Sequence, residues 1–568
     1  MNVLLGISAS GGIGIGNAFV LPETPERVIY KNRISDEEVE YEWSRFESAC
    51  IKVKESIEKS LSGLSQEDLN RVILETYLLM LADPVFLQEV KVSFEKNKYN
   101  IEYTLSQKVD EYADRLRNSG NDYLAERAGD IEDVFGQVLD ILLDYHPFNI
   151  ELVPENAVIV GRNMKTSDTV ILNKRKIAGL ALIEGGSSSH VAILARTYGI
   201  PAVVGLDGIT SQVETGQQIV VDGNLGEVVV APDSATLMQS QSKIAAEQKR
   251  VERLKEFRNK PAMTEDGVVF KLYANIGTPE EAEIALEEGA DGIGLFRTEF
   301  LFMDSMKANG NKNASYSNSV SEEVQFQAYK RVLEIMGDKP VTIRTLDSGG
   351  DKDIGSKEIP SNVEKNPLMG LRAIRHSLFY PQVFRTQLRA LYRASVYGNM
   401  RIMLPLITDV SQVDTVLGII KGVQYSLKED NIPFRADVPV GIMIETAAAA
   451  ICADCFATHC DFFSLGTNDL TQYTIGIDRE NPSVAPYYNE FNLAVLRLIK
   501  MTIDAAKHEK IPVSICGEMA GKKESVIILA GLGIRELSMA PKQISVIKEI
   551  LSQFSIEELE NLSSNSIF

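Results

Sequence analysis

The chain has 568 residues, 44% of them hydrophobic and 24% charged, an ordinary globular balance that sets aside fibrous and disordered classes. Its formal net charge of -21 argues against a general nucleic-acid binder or a protein that coats anionic membranes, so an anionic substrate would have to meet a local cluster of Arg and Lys. The length suggests roughly three or four domains, and no stretch reaches the roughly 18 uninterrupted apolar residues of a membrane span.

Residues 1–20 read as a short strand and a Gly-rich turn, Ser8-Ala9-Ser10-Gly11-Gly12-Ile13-Gly14, without a basic leader. The spacing does not fit a dinucleotide fingerprint. From about Ser35 to Asp144 the pattern is helical. Ser35-Asp36-Glu37-Glu38 reads as a capping box, Ile73, Tyr77 and Leu81 keep helical spacing, and Pro84 marks a break. This segment is acid-rich. It suits a partner with a basic face, and equally a plain solvated surface.

Residues 150–231 return to apolar runs and glycine turns, with strands expected at Ala157–Val160, Leu180–Ile183 and Gln218–Val221. The second run leads into Gly185-Gly186-Ser187-Ser188-Ser189-His190 and then the apolar helix Val191-Ala192-Ile193-Leu194-Ala195-Arg196. Backbone N–H groups at a helix start attract phosphate, and glycines let the backbone come close. An imidazole there can act as a nucleophile toward phosphorus while neutral, so activity should fall as His190 becomes protonated. The same string also fits a simple helix start with Ser189 as N-cap.

Residues 1–20 and 148–231 therefore read as one α/β domain carrying His190, with residues 21–147 inserted as a helical subdomain. Residues 232–260 read as a linker helix, and Pro232 and Pro261 are hinge candidates. From about Val268 strand, loop and helix alternate. The eight expected strands are Phe270–Asn275, Gly292–Arg297, Val341–Leu346, Arg401–Pro405, Val440–Glu445, Phe462–Gly466, Val513–Cys516 and Leu537–Ala540, the number a (β/α) barrel needs.

Barrel enzymes place chemistry at the C-terminal strand ends. There stand Asn275, Arg297, Arg344, Glu445, Asn468, Asp469 and Cys516. Two guanidinium groups suit phosphate and carboxylate, Glu445 and Asp469 are hard ligands for Mg²⁺, and a Cys516 thiol can hold a proton. Each also has a plain structural use: ion pairing, loop capping, packing. Among the five cysteines, Cys50, Cys452, Cys455, Cys460 and Cys516, no regular framework appears, as suits a reducing cytoplasm. Cys452, Cys455 and Cys460 with His459 lack the second spaced pair of a zinc site. Cys452 and Cys455 lie in an Ala-rich helical stretch and are expected to be buried.

Longer strings carry a family resemblance. Gly185–His190 resembles the phosphohistidine motif shared by phosphoenolpyruvate–protein phosphotransferase (Enzyme I), pyruvate phosphate dikinase and phosphoenolpyruvate synthase. Asp291–Phe302, Ile343–Asp347 with Gly349–Lys352, Asn366–Arg375, Gly466–Tyr473 and Cys516–Ala520 resemble the phosphoenolpyruvate-utilising barrel. The inserted subdomain has only about a hundred residues, too few for the ATP-grasp domain of the dikinase and synthase, so the resemblance narrows to the Enzyme I family. It implies a multidomain α/β chain: a swivelling phosphohistidine α/β domain with a helical insertion, a linker helix and a C-terminal (β/α)8 TIM barrel over residues 261–568.

The resemblance further implies that the phosphoryl group of phosphoenolpyruvate passes to His190 and then to a histidine of the carrier protein HPr. Arg297, Arg344, Asn468, Asp469 and Arg479 would bind substrate, Glu445 and Asp469 would hold Mg²⁺, and Cys516 would protonate the enolpyruvate. Tyr123–Ala128 with Asp130 and Asp133 look like the HPr-docking surface. A cytoplasmic homodimer formed through the barrel is expected, feeding sugar uptake or regulation alone. Four features depart from the family pattern. Ser188 replaces threonine, Ala447 and Gly11 each replace proline, and residues 306–320 form a longer insertion after Arg297, either a lid or an idle tip.

Overall fold

The computed structural model describes residues 1–22, 29–62, 69–118, 122–145, 150–164, 166–169, 172, 175–186, 189–302, 320–348, 366–481 and 483–567. The chain divides into two units, Met1–Lys249 and Arg250–Phe568. Ser187, Ser188, Gly349–Lys352 and most of the 306–320 insertion fall outside the described residues.

In the first unit the N-terminal residues give three strands where one strand and a turn were expected: β1 (Asn2–Leu5), β2 (Ile7–Ser10) and β3 (Ile13–Val20). Gly6 separates the first two because a Cβ there would lie 2.4 Å from the Val204 carbonyl oxygen. Gly12 turns the chain into β3 at φ +105°, a conformation that favours glycine. Later come β4 (Ala157–Gly161), β5 (Gly179–Leu182), β6 (Ala202–Val204), β7 (Gln218–Asp222) and β8 (Glu227–Val230). The sheet order is β1-β8-β7-β3-β4-β5-β6-β2, with β3 to β6 parallel to their neighbours in that run. Alternate side chains face opposite ways along each strand. Ile159, Leu180 and Leu182 therefore enter one core and Val158, Val160 and Ala181 another, which is why these runs are apolar on both faces.

The helical insertion leaves after β3 and returns at β4. Its helices, Val39–Leu61, Leu69–Leu81, Pro84–Asn97, Ile101–Arg117 and Asp122–Leu142, close over their own core of Phe46, Tyr77, Phe94, Ile101 and Phe135. Glu38 reaches back to the Ser35 N–H at 2.8 Å, while the helix proper starts one residue later than that capping pair. The break at Pro84 is a new helix start, with Asp83 as N-cap accepting from Val85 N at 2.8 Å.

In the second unit, β9 (Ala262–Met263) pairs antiparallel with β10 (Val269–Ile276). The barrel comprises β10, β11 (Ile293–Phe296), β12 (Pro340–Arg344), β13 (Asn399–Leu404), β14 (Val440–Ile444), β15 (Phe463–Leu465), β16 (Val513–Ile515) and β17 (Glu536–Met539). All are parallel, and β10 closes against both β11 and β17. Each expected strand is found within two residues of its expected limits. A helix runs over Ser234–Arg258, within the stretch expected as a linker helix, and the division between the two units falls inside it, after Lys249. Its C-terminal end is fastened within the second unit: Arg258 binds Glu288 at 3.0 and 2.5 Å, and the Lys548 ammonium donates to the Arg258 and Gly289 carbonyls at 2.8 Å each. The turn toward Pro261 therefore starts from an anchored point, which weighs against a hinge there.

Candidate active site at the barrel mouth

The C-terminal strand ends place four acidic groups against two buried arginines. Arg344, the last residue of β12, is ion-paired with Glu299 at 3.2 Å and Asp347 at 2.9 Å. Arg372 meets the other oxygen of Asp347 at 3.0 Å, Asp469 at 3.4 Å and the Tyr473 hydroxyl at 3.2 Å. Burial works against both guanidinium charges, but the carboxylates outweigh it and hold both pKa values above the ordinary arginine value. Arg344 keeps Nε buried with no partner among the described residues, and so does Arg479 at Nη1, although its Nη2 lies 3.6 Å from Asp469. Arg297, by contrast, is exposed, and its guanidinium has no hydrogen-bonding or ion-pair partner among the described residues. The two strand-end arginines named from sequence thus have different surroundings, one enclosed and one open.

Glu445 follows β14 and is 2% exposed. Leu406 N donates to one of its oxygens at 2.5 Å, and a Cβ on Gly466 would stand 3.0 Å from the other. Burial, then the negative charge of Asp469 and Asp347, pushes its pKa well above the carboxylate range despite Arg344 and Arg372. Glu445 and Asp469 are hard oxygen donors of the kind that Mg²⁺ takes. Among the described residues no cluster of three or more candidate protein ligands forms. Mg²⁺ commonly takes one or two carboxylates and completes its shell with water and substrate phosphate.

Asn468 is tied to the neighbouring loop: its carbonyl oxygen accepts from Glu518 N at 2.9 Å and its amide donates to the Glu518 carboxylate at 3.3 Å. The loops are pressed together so closely that a Cβ on Gly517 would lie 2.0 Å from Thr467 Oγ1. Cys516 is 3% exposed among Leu295, Met403, Met443 and Phe462, and its thiol donates to Leu465 O at 3.6 Å. Burial pushes the thiol pKa up, so the group holds its proton.

A buried chain of hydrogen bonds supports this mouth from behind. Gln387 accepts from Leu346 N at 3.0 Å and donates to Thr298 Oγ1 and Tyr329 OH at 3.2 Å each. Thr298 in turn donates to the Arg344 carbonyl at 3.0 Å. Glu299, Asp347, Arg372 and Gln387 were not singled out from sequence as site residues. The first three lie within the strings that carried the resemblance, whereas nothing local marks Gln387 among the polar positions of its helix.

In the first unit, His190 opens the helix His190–Thr197, and Ser189 caps it by accepting from Ala192 N at 3.3 Å. The N-cap reading therefore holds. Gly185 sits at φ +120°, and among the described residues nothing lies within 4 Å of a Cβ built on Gly186. In the helical insertion, Asp130 is buried and ion-paired with Arg127 at 3.1 Å, and Asp133 accepts from Tyr77 OH at 2.8 Å. Both carboxylates hold the insertion together.

Family models match along the chain in the same order: PEP-utilising enzyme, N-terminal, over residues 5–127; PEP-utilising enzyme, mobile domain, over 153–226; and PEP-utilising enzyme, PEP-binding domain, over 251–556. The phosphoenolpyruvate-protein phosphotransferase of Bacillus sp. (strain S) is 41% identical over 557 residues, covering 97% of this chain and 93% of that one. The chain belongs to the phosphoenolpyruvate-protein phosphotransferase family. Within that family, the enzyme of Geobacillus stearothermophilus is 40% identical over 97% of this chain and 93% of that one, and that of Bacillus subtilis (strain 168) 39% over 99% and 96%. The mobile-domain match contains His190, and the PEP-binding match contains Arg297, Arg344, Glu445, Asn468, Asp469, Arg479 and Cys516. Among the described residues no helix is long and apolar enough to cross a membrane.

Proposed function

We propose that the chain takes the phosphoryl group of phosphoenolpyruvate onto His190 and passes it to a histidine of HPr, releasing pyruvate, as a cytoplasmic homodimer that opens the sugar phosphotransferase relay. The observation that carries this reading is the pair of buried guanidinium donors, Arg344 Nε and Arg479 Nη1, which have no partner among the described residues while carboxylates meet other nitrogens of the same arginines. Such donors suit the phosphate and carboxylate of one small substrate that bears both groups. The exposed Arg297 supplies a third positive group at the rim.

Phosphoryl transfer is largely positioning and neutralisation of charge on the equatorial oxygens. In this reading the arginines orient phosphoenolpyruvate with its bridging oxygen facing away from the incoming imidazole, and Asn468 helps place it. A ring nitrogen of neutral His190 attacks phosphorus, the N–P bond forms and the P–O bond to the enol carbon breaks. The enolate left behind takes a proton at its methylene carbon from the Cys516 thiol, giving pyruvate, and solvent restores the thiol. Glu445 and Asp469 would hold Mg²⁺, which would supply electrostatic stabilisation of the phosphate oxygens. The phosphorylated nitrogen then donates to HPr, docked on the acid-rich insertion.

Incubation with phosphoenolpyruvate carrying radioactive phosphorus tests this. Acid-labile label on the wild type, dependent on Mg²⁺, absent from His190→Ala and chased onto added HPr, is the expected result. A folded wild type that takes no label overturns it.

A further inference from the structure

The helical turn after β14 presents two thiols that the phosphoryl chemistry does not use. Ala453, Phe456 and Ala457 point inward and are buried, at the i, i+3 and i+4 spacing of one helix face. Cys452 and Cys455 therefore lie on the outer face, and both are exposed, contrary to the expectation of burial from the Ala-rich sequence. The Phe456 N–H donates to the Cys452 carbonyl at 3.2 Å, so Cys452 to Phe456 is one closed turn. Side chains three apart on such a turn are neighbours with Cβ atoms about 5–6 Å apart, so closing a disulfide, whose Cβ spacing is about 3.8 Å, requires the turn to tighten. The other thiols are differently placed. Cys516 is buried, and burial pushes Cys50 and Cys460 up to about 12. His459 is held one turn further on, its Nδ1 3.0 Å from both the Cys455 carbonyl and Thr458 Oγ1.

We propose that Cys452 and Cys455, in the spacing Cys-Ala-Asp-Cys, form a redox-active dithiol site that reacts reversibly with low-molecular-weight disulfides. A CxxC pair outside a zinc framework is the usual form of such a site. Cys452 is the attacking thiol and Cys455 the resolving one, because the neighbouring Asp454 carboxylate raises the Cys455 pKa and disfavours its thiolate. The Cys452 thiolate attacks one sulfur of the disulfide. The S–S bond breaks, and the first small thiolate leaves and takes a proton from solvent. Cys455 loses its proton to solvent and attacks Cys452 Sγ, displacing the second small thiolate. Two protein thiols and one disulfide give one protein disulfide and two small thiols. The site is independent of the phosphotransferase reading.

The test is equilibration of the full-length native protein with oxidised glutathione, followed by alkylation and peptide mass spectrometry. The expected wild-type product is a Cys452–Cys455 disulfide, a loss of about 2 Da, reversed by dithiothreitol. Cys455→Ser should stop at one glutathione adduct on Cys452. Phenylarsine oxide, which bridges paired thiols, should bind the wild type at least about tenfold more tightly than either Cys452→Ser or Cys455→Ser. Separate glutathione adducts on both cysteines of the wild type, no reaction in the native protein, or equal arsenical binding by all three proteins would overturn the proposal.

Discussion

Ala447 occupies the first position of the helix Ala447–Ile451, directly after the N-cap Thr446, which accepts from Ala449 N at 3.2 Å. Proline is well tolerated at this position because its missing N–H has no helical partner. The residue before a proline must be extended, and Thr446 already is, at φ -124° and ψ 152°. Ala447→Pro is therefore expected to stabilise the barrel by about 0.4–1 kcal/mol, chiefly by restricting the unfolded chain, with denaturant unfolding as the measurement. Gly11 is the contrasting case: a Cβ there would lie 2.9 Å from the Asn224 amide oxygen, so proline would require Asn224 to move. At His376, which is buried and packed 4.8 Å from the Tyr380 ring, burial lowers the pKa below the ordinary 6.5. Neutral His376 thus contributes stability above about pH 6.5 that is lost as pH falls through its lower folded value. Denaturation midpoints at pH 7.5 and 5.5 should drop further for the wild type than for His376→Gln. An equal drop would assign the acid sensitivity to other groups.

At the scale of elements, the helix Pro381–Ala394 reaches the mouth through one side chain. Gln387 holds the Leu346 N–H and Thr298 together, and so sets the segment that carries Arg344 and Asp347. Gln387→Ala leaves that buried N–H without an acceptor, at a cost of about 1–3 kcal/mol. The expected kinetic signature is a raised KM for phosphoenolpyruvate in steady-state assays. Unchanged kinetics with lowered stability alone would restrict Gln387 to packing. The helix Ser234–Arg258 shows the same logic at its own end, where Arg258, Glu288 and Lys548 hold its last turn. Rotation between His190 and the barrel, which the proposed reaction needs, would then be taken up N-terminal to that anchored turn.

For the whole molecule, the two units divide the proposed chemistry between them. Residues 1–249 carry His190 and close their own sheet and helical core, and residues 250–568 carry the arginines, Glu445, Asp469 and Cys516 on a closed barrel. The first unit alone is expected to take phosphate from phosphorylated HPr but none from phosphoenolpyruvate. The second is expected to bind phosphoenolpyruvate, by calorimetry, and to take no label. Label on the second unit from phosphoenolpyruvate would relocate the acceptor from His190.

The sequence by itself determined the eight barrel strands, the start of the His190 helix at Ser189 and the family, because apolar periodicity, caps and contiguous motifs are local properties. Which groups face one another was decided by tertiary structure. Arg344 meets Asp347 within its own segment, but it meets Glu299 only because β11 and β12 are neighbours in a closed barrel, and Gln387 matters only because its helix packs behind them. Burial divided the cysteines in the same way. An alanine-rich turn has too little contrast between its faces to say which one packs, so Cys452 and Cys455 were expected inside. Placement of Ala453, Phe456 and Ala457 against the barrel turned both thiols to solvent.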